Sequence, residues 1–330
     1  MMQRKYLLAA IGLLVLVLVP FLTDITGQSS MLSLATRALI YGIAAASLNL
    51  VLGYGGMVSF GHAAFFGIGG YAVGILYQNF NEQTLFLGLV PGTDQMLLTL
   101  PAAMIVAAML AAVIGALALR TGGVQFIMIT MAFAQMVYYF FVSIDEYGAD
   151  DGLVIDTRSE LGLIDFDNPL QLYFFCLGSL VVAMALVHMI VNSRFGMVLQ
   201  GAKGNNDRMV SLGYNTYLYR LVAYVISGAM CGFAGALLGN FTTFISPEMM
   251  DWSHSGELMF MVILGGASTA VGPILGSAAF IIIEEVLSRF TIYWHLPFGL
   301  MLLAVVLFAR GGFSGIIDRL RGRKLLPGEG

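Results

Sequence analysis

Charged residues are scarce in this sequence of 330 residues: Lys, Arg, Asp and Glu make up only 10% of it, and 59% of the residues are hydrophobic. Soluble domains are about one-quarter charged and about half apolar. A water-soluble fold cannot bury that much apolar surface, whereas a lipid bilayer can surround it. The composition therefore excludes an ordinary soluble protein and predicts an all-α fold, a polytopic helical bundle integral to a membrane.

Cysteines and catalytic motifs are also nearly absent. The only two cysteines, Cys176 and Cys231, lie in apolar segments, so we expect two small buried side chains and neither a disulfide nor a metal site. No G-x-x-x-x-G-K-S/T, H-E-x-x-H or G-x-S-x-G motif occurs. We therefore predict that the chain is not an enzyme, has no catalytic or metal-binding residues and carries no cofactor of its own.

The apolar residues fall into about ten long runs, of which we expect eight to ten to be transmembrane helices. Two runs are short and meet at a break rich in glycine, so one of them is a candidate half-helix that re-enters the bilayer. The first run is long for a signal peptide, and no small-x-small cleavage site follows it. The runs lie at 6–22, 35–52, 57–77, 97–119, 124–143, 171–191, 217–240, 256–268, 272–288 and 294–309.

The few charges segregate between loops. The loop 145–168 holds eight acidic residues and one arginine, whereas the loop 192–216 and the tail 310–330 are basic. Loops rich in Lys and Arg stay in the cytoplasm. We therefore predict that both termini, the 192–216 loop and the 310–330 tail are cytoplasmic and that the acidic loop lies outside.

Glycine is abundant, with 40 residues, and many of them form small-xxx-small pairs within the apolar runs. Such pairs let helix backbones approach closely in lipid, so we expect them to pack helices within this chain rather than to dimerise it. The pairs are Gly70 and Gly74, Gly228 and Gly232, Gly235 and Gly239, and Gly272 and Gly276.

Polar residues inside the runs are few, and they form no acid–base relay across the membrane. This weakens the alternative of a gradient-driven secondary transporter. Glu284 and Glu285 are expected to reach the interface or to pair with Arg289, with a role in gating as the alternative. We expect His254 to be solvated near an outer loop.

Residues 49–71 form the most specific motif. They read NLVLGYGGMVSFGHAAFFGIGGY, which resembles the N-L-x-x-G-Y-x-G-x-x-S-x-G-H-A-A-F-F-G-I-G-A-Y signature of LivM-type permeases, the membrane subunits of branched-chain amino-acid ABC importers. We take its glycine-rich, polar positions as candidates for the translocation pathway, lined by unwound backbone. Hydrogen bonding between helices is the alternative for its polar side chains. The candidates are Asn49, Gly53, Ser59, Gly61 and His62.

A second match, from residue 193 to 227, is similar to the cytoplasmic coupling loop of the same family. We predict a short interfacial helix here, stopped by Gly201 and Gly204, that docks in a groove of an ATPase; a merely solvated loop is the alternative. The family usually has Glu-Asn-Glu and two alanines where this chain has 205–207 and 209–210, so the docking surface is expected to suit its own ATPase. The candidate coupling residues are Lys203, Asn205, Asn206, Arg208, Leu212 and Gly213.

The resemblance covers most of residues 35–312 and implies that 1–330 is a single transmembrane permease domain in the bacterial cytoplasmic (inner) membrane. It implies as partners two ABC ATPase subunits, a second LivH-type permease subunit, an extracytoplasmic solute-binding protein and membrane lipid. It implies no nucleic-acid partner. The expected solutes are leucine, isoleucine and valine. Urea, short amides and aromatic acids stay open, because the binding protein largely determines the solute.

Overall fold

A computed structural model describes residues 16–21, 29–86, 90–159, 162, 166–291 and 293–308. These residues are mostly helical, as the composition predicts, and their strands are two-residue pairs. The helices are α1 (16–21), α2 (Ser29–Asn49), α3 (His62–Asn81), α4 (Met96–Ala118), α5 (Val124–Val142), α6 (Pro169–Asn192), α7 (Arg194–Gly204), α8 (Asn206–Ser211), α9 (Thr216–Thr242), α10 (Trp252–Gly265), α11 (Gly272–Phe290) and α12 (His295–Phe308). The strands are β1 (Leu85–Phe86), β2 (Val90–Pro91), β3 (Leu153–Val154) and β4 (Phe244–Ile245), paired antiparallel as β1–β2 and β3–β4.

Five described stretches are long and apolar enough to cross a membrane by themselves, which supports a multi-pass protein. The total of eight to ten crossings stays a prediction. The first run, 6–22, falls mostly outside the described residues, and the tail 310–330 does so entirely. The five stretches are Ser30–Tyr54, Met96–Ala118, Val124–Val142, Pro169–Asn192 and Thr216–Thr242.

Helix α9 lies at the centre of the bundle and packs against α2, α3 and α4. Its glycines make the contacts: a Cβ on Gly235 would lie 1.7 Å from the carbonyl oxygen of Phe66, and a Cβ on Gly232 would lie 2.3 Å from the Cβ of Ala107. Only glycine allows backbones this close, where dispersion and weak hydrogen bonds hold helices together in lipid. The prediction that the glycine pairs pack helices within the chain is confirmed for α9 and α11, whereas Gly74 of the α3 pair packs against Leu153 of β3 and Ile245 of β4.

Helix α10 crosses only part of the bundle. Its 14 residues span about 21 Å, less than the hydrocarbon core of about 30 Å. Asp251, which caps its first turn, accepts a hydrogen bond of 2.6 Å from Gln135 in the middle third of α5. Its last residue, Gly265, packs against Gly272 at the start of α11. This length and depth match the predicted half-helix.

The bundle has two ends of different charge. The end formed by α7, α8 and the 266–271 loop is called the α7 end; β1 to β4 and the acidic loop lie at the opposite, far end.

The predicted short helix in the 192–216 loop is present, as α7 followed by α8. The prediction that Gly201 stops it was wrong, because α7 continues to Gly204; Gly201 instead gives room for Met209 of α8, whose Sδ would lie 2.8 Å from a Cβ at this position.

Both cysteines, Cys176 and Cys231, are free and buried, as predicted. They lie in α6 and α9 and pack within the hydrophobic core of the bundle.

Candidate functional site

The motif 49–71 contains a break in the helical backbone that begins at the α7 end of the bundle. Helix α2 ends in a π-helical turn, Leu50–Tyr54, and the chain then follows an irregular path to His62, where α3 begins. The apolar run expected from residue 57 thus becomes helical five residues later. Irregular backbone is tolerated at this depth only where other groups satisfy its hydrogen bonds, and π-turns occur often at functional sites.

Hydroxyl groups from other helices satisfy the backbone of the irregular segment. Thr130 of α5 accepts a hydrogen bond of 3.2 Å from the backbone N–H of Phe60. Ser255 of α10 donates to the carbonyl oxygen of Phe60, 2.7 Å, and accepts from the N–H of Ala63, 2.8 Å. Two separate helices, α5 and α10, therefore hold this segment in one conformation.

Ser59 and His62 join the segment to α9. His62 Nε2 lies 2.8 Å from Ser227 Oγ, and its Nδ1 lies 3.2 Å from Ser59 Oγ, which in turn lies 3.1 Å from the hydroxyl of Tyr224. Ser227 donates onward to the carbonyl oxygen of Ser47 in α2, 2.6 Å. Ser59, Gly61 and His62 are completely or almost completely buried by this packing. Their hydrogen bonding between helices is observed; their role in a pathway stays a prediction.

Asn49 and Gly53 lie at the α7 end and contact the loop between α10 and α11. The side chain of Asn49 accepts from the N–H of Ser268 and donates to the carbonyl oxygen of Thr269, both at 3.0 Å. Ser268 Oγ donates to the carbonyl oxygen of Gly53, 2.6 Å. The π-turn and the glycine-rich break after α10 are therefore bonded to each other.

Lys203 of α7 binds the same carbonyl oxygen. Its Nζ donates to Gly53 at 2.7 Å and to Ser268 Oγ at 3.3 Å. Its aliphatic stem covers Gly56, where φ is +67° and a Cβ would approach the lysine Cγ to 2.6 Å. The structure thus brings together the candidate coupling residue Lys203 and the candidate pathway residues Asn49 and Gly53.

The other candidate coupling residues lie away from this contact, on α8 and the turn after it. Asn205 caps α8 by accepting a hydrogen bond of 2.9 Å from the N–H of Arg208. Asn205, Arg208, Leu212 and Gly213 are exposed, and Asn206 is half-buried. Gly213 has φ of +87°, which favours glycine in the turn. These residues form an open surface at the α7 end, as a docking surface requires, and their role stays a prediction.

A polar network near the middle of the bundle escaped the sequence analysis. Arg37 of α2 forms an ion pair of 2.8 Å with Glu284 of α11 and lies over the ring of Tyr41, with its Cζ 5.6 Å from the ring centroid. Tyr41 lies 3.4 Å from His254 Nε2, and His254 Nδ1 lies 3.0 Å from Glu257.

His254 was expected to be solvated, yet only 15% of its side chain is exposed. Of the expected pairs with Arg289, Glu285 forms one and Glu284 does not.

A recess at the α7 end has room for about one water molecule. It is lined by residues that include Asn49, Tyr54, His188 and Thr269.

A model of the family described as branched-chain amino acid transport system, permease component, matches residues 30–309. The chain belongs to this family. The match includes the motif 49–71, the π-turn, α7 and the half-length helix α10. The family is one of transport permeases, which agrees with the prediction that the chain is not an enzyme.

The chain is similar to permease proteins of enteric bacteria. The permease protein LivM of the high-affinity branched-chain amino acid transport system of Salmonella typhimurium LT2 is 25% identical over an alignment covering 92% of this chain and 73% of LivM. LivM of Escherichia coli K12 is also 25% identical, over 83% of this chain and 67% of LivM. The permease protein LsrC of the autoinducer 2 import system of Salmonella paratyphi B is 27% identical over 44% of this chain and 45% of LsrC. No solved structure matches the chain.

Proposed function

We propose that this permease is the membrane-spanning subunit of an ATP-binding cassette importer that carries leucine, isoleucine and valine. Separate ATPase subunits dock at the α7 end, which lies in the cytoplasm of a bacterial cell. A second, LivH-type permease completes the pathway, and an extracytoplasmic binding protein delivers the solute at the far end. The similarity to two LivM proteins over most of the chain supports this solute class, and the basic residues at the α7 end support the orientation.

The contact of Lys203 with Gly53 carries the proposed mechanism. A movement of α7 by about 1 Å, driven by closure of the ATPases on ATP, lengthens a 2.7 Å hydrogen bond beyond its useful range. The π-turn, Ser268 and Asn49 then have to rearrange with α7. Alternating access follows from this coupling: ATP binding opens the pathway towards the binding protein, and hydrolysis resets it.

Substituting Lys203 tests the coupling. Lys203→Met keeps the aliphatic stem over Gly56 but removes the donor to Gly53, so we expect ATP hydrolysis by the reconstituted complex to persist while leucine uptake per ATP falls about tenfold. Arg194→Met is the matched control, because Arg194 is an exposed basic residue at the start of the same helix. Wild-type uptake per ATP in Lys203→Met would contradict the proposed coupling.

The driving force and the solute are tested in cells with and without this chain. The importer is supported if uptake of labelled leucine is lost when this chain is deleted, stops when ATP is depleted and continues in the presence of a protonophore. Loss of uptake with the protonophore alone would identify a gradient-driven carrier. Because LsrC belongs to an importer for a different solute, unchanged leucine uptake would redirect the assay to urea, short amides and aromatic acids.

A further inference from the structure

Five polar side chains meet around the first turns of the half-length helix α10, and we call them the mid-depth belt: Arg37, Tyr41, His254, Glu257 and Glu284. Tyr41 lies in the middle third of the membrane-spanning stretch Ser30–Tyr54, and Arg37 lies one turn before it. His254 and Glu257 follow the point where α10 begins, near the middle of the bundle. Solute sites of transporters commonly lie at this depth, beside discontinuous helices.

The described part of the chain buries the side chains of the mid-depth belt only partly. The side chains of Arg37 and Glu257 are 34% and 28% exposed, and that of Glu284 is 18% exposed. Ionisable groups at this depth are costly against hydrocarbon and face protein or a water-filled cavity. The pair of Arg37 and Glu284 therefore has an open side that has to face protein or water rather than hydrocarbon.

The open side retains unused hydrogen-bonding capacity. Among the described residues, only Nη2 of Arg37 binds a carboxylate, reaching the two oxygens of Glu284 at 2.8 and 3.1 Å. A guanidinium has five donors, and Nη1 and Nε have no carboxylate partner among the described residues, where Tyr41 is the other group beside Arg37. Only one oxygen of Glu257 has a partner within the described chain, His254 Nδ1. The belt therefore offers donors for an anion beside acceptors for a cation.

We propose that the mid-depth belt recognises the solute as a zwitterion, with Arg37 binding the α-carboxylate and Glu284, assisted by Glu257, binding the α-ammonium group of a free amino acid. This inference rests on the proposed function and names the groups that recognise its solute. The two charges of an amino acid are adjacent, as are those of Arg37 and Glu284. Urea and short amides carry neither charge, and an aromatic acid without an amine carries one.

A charge exchange tests the proposal in the intact complex, purified through a tag on this chain and reconstituted with its binding protein. The double variant Arg37→Glu with Glu284→Arg keeps an ion pair between α2 and α11 but exchanges its ends. We expect the loaded binding protein still to stimulate ATP hydrolysis, while labelled leucine transported per ATP falls about tenfold or more. The matched control exchanges Glu285 and Arg289, an exposed pair on α11, and is expected to transport as the wild type does.

A second variant, Glu257→Gln, keeps the shape of the side chain and removes its charge. It is expected to assemble normally and to lower leucine transported per ATP. Wild-type transport per ATP in both belt variants would overturn the inference and leave a structural ion pair. Loss of the second permease subunit from both purified variant complexes would also overturn it, because the open side would then be an interface between permeases. A wild-type complex without ATP-dependent leucine transport would instead refute the proposed function.

Discussion

Gly69 and Gly70 are neighbours on α3 that approach α9 at very different distances. A Cβ on Gly69 would lie 1.9 Å from the carbonyl oxygen of Gly232, whereas a Cβ on Gly70 would lie 3.5 Å from that of Gly235. Real Cβ atoms essentially never come within 3.0 Å of another heavy atom. Gly69→Ala therefore has to separate two helix backbones by roughly 1 Å, while Gly70→Ala fits.

The two substitutions should differ clearly in stability. Overpacking lowers stability by about 1–3 kcal/mol, whereas the better helix propensity of alanine raises it by at most about 1 kcal/mol. Gly70→Ala gains the helix propensity without the clash. We expect Gly69→Ala to lower the melting temperature of the detergent-solubilised complex by roughly 3–6 °C and Gly70→Ala to change it by no more than about 2 °C.

Melting can be followed with a dye that fluoresces on reaction with thiols, because Cys176 and Cys231 are buried in the fold and become accessible when it opens. Gly178→Ala in α6 is a second control, since a Cβ there would meet nothing within 4 Å. Equal melting temperatures for Gly69→Ala and Gly70→Ala would refute the close approach of α3 and α9.

Three further outcomes are expected. Arg158→Met should destabilise the far end by about 1–3 kcal/mol, because Arg158 donates to the carbonyl oxygens of Phe166 and Phe241 at 2.6 and 3.3 Å. The loss is measured as faster proteolysis of the 145–168 loop, and an unchanged cleavage rate would count against this contact. Ser193→Ala should cost about 1 kcal/mol of stability, measured as a lower melting temperature, since Ser193 Oγ caps α7; Ser288→Ala, at an exposed position, should not. A membrane-permeant maleimide should label the two cysteines slowly until detergent denatures the protein, and rapid labelling of the native complex would contradict their burial.

The helices were predictable because local properties determine them. Runs of apolar residues locate α4, α5, α6 and α9 within a few residues, since a lipid-spanning segment has to satisfy its backbone internally. The glycine pairs likewise predicted close packing. The start of α3 was less predictable: residues 57–61 read as part of an apolar run, but Thr130 and Ser255 supply the hydrogen bonds that let the backbone leave the helix.

Contacts between distant residues could not be read from spacing along the chain. Glu284 was expected to reach the interface or to pair with Arg289, five residues along the chain, and it pairs with Arg37, 247 residues away. Gly201 was expected to stop a helix, but packing against Met209 explains it. The contact of Lys203 with Gly53 joins two motifs that were recognised separately. In each case tertiary packing, and not local propensity, selects the partner.

The irregular segment before α3 also determines where this permease tolerates substitution. The backbone of an ordinary membrane helix satisfies itself, so that loss of a hydroxyl from a neighbouring helix is often silent. Here Thr130 and Ser255, which lie 70 and 195 residues from Phe60, complete the hydrogen bonds of its backbone. Substitution of Thr130 or Ser255 is therefore expected to disturb the motif as much as a change within it, because these two hydroxyls complete the backbone of another segment.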